Sequence, residues 1–148
     1  MRYFLELRYD GAAYCGWQRQ PDQPSVQATL ERALSTLLRQ EVQVTGAGRT
    51  DTGVNASYYV AHVDVAEPVA DPERVVYKLN FLLPGDIAVG SMLPVSDEAH
   101  ARFSATEREY RYFIEPRKNP FTRGAAWQYY VPLDMERMNE AAASRLRY

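Results

Sequence analysis

Residues 41–65, EVQVTGAGRTDTGVNASYYVAHVDV, decide the fold. Glu41–Thr45 reads as a short strand that runs into the glycine-rich segment Gly46-Ala47-Gly48-Arg49-Thr50-Asp51-Thr52-Gly53. Beyond it Tyr59, Ala61, Val63 and Val65 alternate as a second strand, with His62 on the opposite face. Moving toward the N-terminus, Ser25 can cap a helix in which Val26, Leu30, Leu34, Leu37 and Leu38 recur at helical spacing, with Glu31, Arg32 and Arg39 expected to face outward. Before the helix, Tyr3, Leu5, Leu7 and Tyr9 fall on one face of a half-buried strand whose other face carries Arg2, Glu6 and Arg8. Moving toward the C-terminus, Asp71-Pro72 supplies a cap and a first-turn proline for a helix striped by Val75, Val76, Leu79, Leu82 and Leu83, which Pro84-Gly85 stops. Ile87–Val95 follows as a further strand.

The order strand, helix, strand, strand, helix, strand predicts an α+β domain of the ferredoxin-like split βαβ type, with a mainly antiparallel sheet and helices packed on one face. A further strand at Glu109–Glu115 and a final helix extend it; that helix is capped by Asp134 and runs through Met135, Met138 and Ala142 to Leu146, close to the last residue, Tyr148. At 148 residues, 46% of them apolar, the expectation is one domain over 1–148 with a proper core.

A net charge of −2 and a pI near 5.7 argue against gripping nucleic acid by bulk charge. The basic residues are uneven in kind, however: only Lys78 and Lys118 of the 17 are lysines, so fifteen are arginines, the side chain suited to bidentate phosphate contacts. Between Arg102 and Arg123 six cations stand against three acids, which is either an RNA-facing stretch or a solvated surface. The single Cys15 excludes an intrachain disulfide, and with only His62 and His100 no zinc-type cluster is expected. Charges interrupt the N-terminal apolar residues and no stretch reaches the length of a membrane span, so a reducing cytoplasm is the expected setting.

The glycine-rich segment is neither a dinucleotide fingerprint, because Asp51 stands where its last glycine belongs, nor a phosphate loop, because no lysine precedes Thr50. It reads either as a turn, with Asp51 as an Asx residue and Arg49 as its ion partner, or as a site whose glycines let a ligand approach one acid.

Further words occur in order along the chain: Tyr9-Asp10-Gly11, Gly16-Trp17-Gln18-Arg19-Gln20, Ser25-Val26-Gln27, and Gly48 through Val54. Asn80 then precedes Leu83-Pro84-Gly85-Asp86-Ile87-Ala88-Val89, and His100-Ala101-Arg102-Phe103-Ser104-Ala105-Thr106 leads to Tyr110-Arg111-Tyr112. In these words and their order the chain resembles the N-terminal half of the TruA-type tRNA pseudouridine synthases, from Tyr3 to about Ala143. One departure is Asn55, where the family motif continues Gly-Val-His.

The resemblance implies an isomerase that converts uridine to pseudouridine in the anticodon stem-loop of tRNA, without metal or organic cofactor and as a homodimer. It implies that Asp51 is the nucleophile, acting at C6, at C1′ or on a sugar proton. Arg49, two residues earlier and on the same side of an extended backbone, would orient Asp51 and help displace the base. Tyr110 would stack on the extruded base, a contact that contributes roughly 1–3 kcal/mol, whereas Tyr112 is expected in a core stripe. Arg19, Arg102, Arg108 and Arg111 are candidate phosphate contacts, each with a solvated surface role as the alternative. Trp17 is expected in the core, and His62 and His100 carry no chemistry. The resemblance also implies a second domain, absent from this sequence, that supplies the other wall of the cleft. The alternatives are a non-catalytic RNA-binding ferredoxin-like module, or an inactive fragment that needs a second half.

Overall fold

The computed structural model describes residues 1–145; the expected end of the last helix at Leu146, and Tyr148, lie outside the described residues. The chain forms two compact units, the first spanning Met1–Arg108 and the second beginning at Glu109.

In the first unit the expected order is realised as β1 (Arg2–Tyr9), α1 (Val26–Leu38), β2 (Val44–Gly46), β3 (Ala56–Asp64), α2 (Pro72–Leu82) and β4 (Ile87–Val95). The sheet order is β2-β3-β1-β4 with every neighbouring pair antiparallel, the ferredoxin-like arrangement. Strand β1 is central because Tyr3, Leu5, Leu7 and Tyr9 all bury toward the helices, and Leu5 lies opposite Ala61 on one side and Met92 on the other. Val26, Leu30 and Leu34 of α1 and Leu79 of α2 complete that core. Burying such side chains contributes roughly 1.5–3 kcal/mol each, which is what holds helices to sheet. In β4 the buried residues are Ile87, Val89 and Met92, an alternation broken once. The break follows from pairing: Glu6 faces Ser91 while Leu7 faces Val89, so Gly90 is an extra residue, a bulge.

Capping follows the sequence reading. Ser25 Oγ accepts from the Ala28 amide, Asp71 Oδ1 from Arg74 and Asp134 Oδ1 from Arg137. Strand β2 starts at Val44 rather than Glu41, and its start is tied to α1 in a way the helical pattern concealed. Glu31, expected to face outward, is 3% exposed. Its Oε1 accepts the Val44 amide at 2.9 Å, while Gln27 Nε2 donates to the Val44 carbonyl at 2.9 Å, and Arg19 forms an ion pair with the Glu31 carboxylate. A buried carboxylate is stable here because each of its neighbours donates to it. Leu82, placed in the apolar stripe of α2, is half exposed, since the stripe turns inward at Leu79 and Leu83.

The sheet face opposite α1 and α2 is partly covered by residues 96–104. Arg2 pairs with Asp64 and donates through Nη1 to the carbonyls of Asp97 and Ala99. His62 is 5% exposed; its Nδ1 accepts the Ala101 amide at 3.1 Å, and its ring meets that of His100 edge-on at 4.6 Å.

The second unit contains β5 (Ile114–Glu115), a 3-10 turn at Pro120–Thr122, β6 (Trp127–Gln128) and α3 (Met135–Arg145). The expected strand over 109–115 is therefore only two residues long, paired in parallel with β6, because its backbone groups find a partner only there among the described residues. Tyr112, expected in a core stripe, is 90% exposed. Among the described residues no helix is long and apolar enough to cross a membrane.

Two stability predictions arise from these contacts. Replacing Glu31 with Ala strands the Val44 amide and leaves Arg19 unpaired, and should cost roughly 1–3 kcal/mol in a denaturant titration. Burial, reinforced by Arg2 and His100, holds the His62 imidazole below its ordinary value. The unfolded chain therefore takes up a proton that the folded chain refuses, so stability should fall as pH drops below about 6.5, continuing to the lowered folded value. The Asp64 carboxyl, held low by its hydrogen bond from Arg2, adds a separate loss only below about pH 4. Unfolding free energies measured between pH 7.5 and 5.5 should slope downward for the parent chain and flatten in His62→Gln.

Candidate active site

Residues 47–55 join β2 to β3 without regular structure, so their backbone polar groups must find partners elsewhere. They find them in side chains and loops brought in by β1, β3 and the segment 11–17. The Ala47 amide donates to the Val60 carbonyl at 2.9 Å. The Tyr59 hydroxyl accepts from the Gly48 amide and donates to the Gly48 carbonyl. The Trp17 amide is shared between the carbonyl and the hydroxyl of Thr50, and that hydroxyl also meets the Tyr9 hydroxyl at 3.0 Å. The Gly53 amide donates to the Tyr14 carbonyl, and Asn55 Oδ1 accepts the Gly11 amide at 2.7 Å.

This packing explains several motif residues. Gly16 has φ 89°, and a Cβ there would collide with the Thr50 carbonyl, so only glycine lets the two loops lie together. Trp17 is buried against Tyr59 and Tyr9, with ring centroids 4.4 and 6.1 Å away, as a core residue. The Tyr14 hydroxyl donates to Asp86 at 2.7 Å, and Asn80 bonds both the amide and the carbonyl of Val89, which locks α2 to β4. Burial and the Asp86 carboxylate both push the Tyr14 hydroxyl upward in pKa. It stays a neutral donor. Asn55, the departure from the family motif, keeps the acceptor function that Gly11 requires.

With its backbone engaged inward, the loop turns Arg49 and Asp51 outward, and both are exposed. The two side chains form no ion pair with one another among the described residues, so neither the ion partner of the turn reading nor the orienting role expected of Arg49 has a contact behind it. The result is an accessible carboxylate and an accessible guanidinium two residues apart on a backbone held by several hydrogen bonds, and an accessible, held carboxylate is a group that can attack a bound substrate. Among the described residues no group of three or more His, Cys, Asp and Glu side chains is placed to hold a metal ion.

The other candidates divide. Arg102 is exposed and lies over the Phe103 ring at 5.7 Å. Arg19 is engaged by Glu31, and Arg108 donates to the carbonyls of Ala47 and Arg102. In the second unit Tyr110 is 62% exposed, and Arg111 is paired with Glu109. The residues that sequence reasoning passed over are Tyr9, Tyr14, Tyr59 and Thr50, whose polar atoms fix the loop. Alternation in β1 and β3 marked Tyr9 and Tyr59 as core, Tyr14 and Thr50 lie in loops, and nothing local signalled that a hydroxyl would be needed at any of them.

Residues 7–104 match the family model described as tRNA pseudouridine synthase. The chain belongs to that family. It is 50% identical over 148 residues to the tRNA pseudouridine synthase A of Porphyromonas gingivalis, covering 99% of this chain and 59% of the relative. Against the protein of the same name from Bacteroides thetaiotaomicron it is 53% identical over 147 residues, covering 99% and 54%. With that from Maricaulis maris the figures are 45% over 148 residues, covering 98% and 59%. The chain thus spans little more than half the length of these relatives.

The Asn55 contact gives a direct check on the loop clamp. Asn55→Ala leaves the Gly11 amide without its acceptor and should destabilise by roughly 1–2 kcal/mol. Asn55→His, which offers a ring nitrogen, should recover most of that loss in the same denaturant titration.

Proposed function

We propose that this chain carries the catalytic aspartate of a tRNA pseudouridine synthase that isomerises uridine in the anticodon stem-loop. The observation that supports this best is Asp51 itself: an exposed carboxylate on a backbone clamped from several sides, in a chain that belongs to the family. The reaction breaks the bond from C1′ to N1, turns the base and joins C1′ to C5, so atoms are conserved and no oxidant is required. Whether the carboxylate acts at C1′, at C6 or on a sugar proton, it must be ionised and fixed in direction, and the clamped loop serves the second need.

Arg49 supports displacement of the base and charge balance at Asp51, and Tyr110 offers an exposed ring for stacking on the extruded base. Arg102 is the arginine best placed for a phosphate contact, with Arg19 and Arg111 contributing where RNA competes with Glu31 and Glu109. A second domain supplies the other wall of the cleft, and the working enzyme is a cytoplasmic homodimer that uses tRNA as substrate.

The test is pseudouridine formation on unmodified tRNA, measured for this chain alone and for the chain complemented by the C-terminal part of a relative. Product from either preparation should fall at least roughly a thousandfold in Asp51→Ala. Binding of tRNA should be unchanged. Binding without any product that depends on Asp51, in both preparations, would instead make the chain an RNA-binding module.

A further inference from the structure

Arg108 bonds inward with three hydrogen bonds. Its Nε and Nη2 both donate to the Ala47 carbonyl, at 3.1 and 2.7 Å, and Nη2 donates also to the Arg102 carbonyl at 2.7 Å. One planar group therefore ties the segment 100–104 to the residue immediately before Gly48. The far end of that tie is itself anchored. His100 Nδ1 accepts from the amides of Arg102 and Phe103, at 3.1 and 3.3 Å, and the Ala101 amide donates to buried His62 in β3. On the other side of the loop, the Tyr59 hydroxyl holds both backbone groups of Gly48. A Cβ on Gly48 would stand 3.4 Å from Arg108 Nε, at van der Waals contact with the guanidinium, so the two groups lie side by side.

We infer that Arg108 is a positioning residue for Asp51: through Ala47 it sets the height and direction at which Gly48-Arg49-Thr50-Asp51 leaves the sheet. The inference rests on the reading of Asp51 as nucleophile. Arginine is needed because a rigid planar fork can serve two carbonyls at once, whereas an ammonium on a flexible stem holds neither in a fixed direction. A displacement of about 1 Å at a reacting group can cost on the order of a hundredfold in rate, so a tie at Ala47, four residues before Asp51, can govern turnover without touching substrate.

The experiment compares Arg108→Lys and Arg108→Gln with the parent chain. Amide hydrogen exchange at Ala47 and Gly48 should accelerate roughly tenfold or more in both variants, while Leu5 and Ala61 in the sheet stay protected. The slope of log binding constant against log salt for tRNA should not change. In the chain complemented by a relative's C-terminal part, kcat should fall on the order of a hundredfold with KM for tRNA changed less than about twofold. Unchanged exchange at Ala47 and Gly48 overturns the inference. So does a salt slope reduced by about one with a raised KM, which marks a phosphate contact. Exchange and salt slope need no turnover, so they decide the role of Arg108 at the loop even if Asp51→Ala leaves product formation intact. That last result would defeat the functional reading alone.

Discussion

The backbone of residues 48–55 has no neighbouring strand to pair with, and the features of the site follow from how it is satisfied instead. Buried amides and carbonyls without partners cost more than an ordinary hydrogen bond returns, so an irregular loop of this length holds one shape only if side chains supply the missing partners. Here Thr50 is the centre: its carbonyl and hydroxyl share the Trp17 amide, and the Tyr9 hydroxyl closes on the same oxygen. Tyr59 and Arg108 treat Gly48 and Ala47 in the same fashion. Because the inward side of the loop is occupied by protein, the outward side is left to Arg49 and Asp51.

The scattered sequence words thereby become one hydrogen-bonded object. The word around Tyr9 meets the word around Thr50; Gly16-Trp17 lies on Thr50; Tyr14 reaches Asp86; Asn80 grips Val89; the segment after His100 reaches Ala47 through Arg108. Few of these residues touch each other along the chain. What looked like a string of separate motifs is a set of contacts whose two halves are written far apart.

That separation explains what could be read from sequence. Strand β1 and helices α1 and α2 were legible because their burial repeats at a fixed period and their caps lie within three residues of the groups they bind. The glycine-rich loop was legible as a special segment, with Asp51 as its acid. Glu31 was not, because its helical position resembles a solvent face until Val44 and Arg19 close over it. Nor was the role of Arg108, whose partner Ala47 lies 61 positions away. Tyr112 failed for a related reason: alternation with Tyr110 and Ile114 imitates a strand, yet a strand exists only where another chain segment accepts its hydrogen bonds, and β5 has two such residues.

The central place of β1 also governs the order in which this molecule can come into being. Arg2 lies opposite Asp64 on one side and Val95 on the other, so β1 has no partner in this sheet until much later segments of the chain have been made. Closing such long loops is entropically costly, and folds dominated by distant pairings form slowly. The clamp on residues 47–55 draws on Tyr9, Trp17, Tyr59 and Arg108, and so needs nearly the whole length of the first unit. The shape of the aspartate loop is therefore a property of the whole first unit rather than of the loop's own sequence.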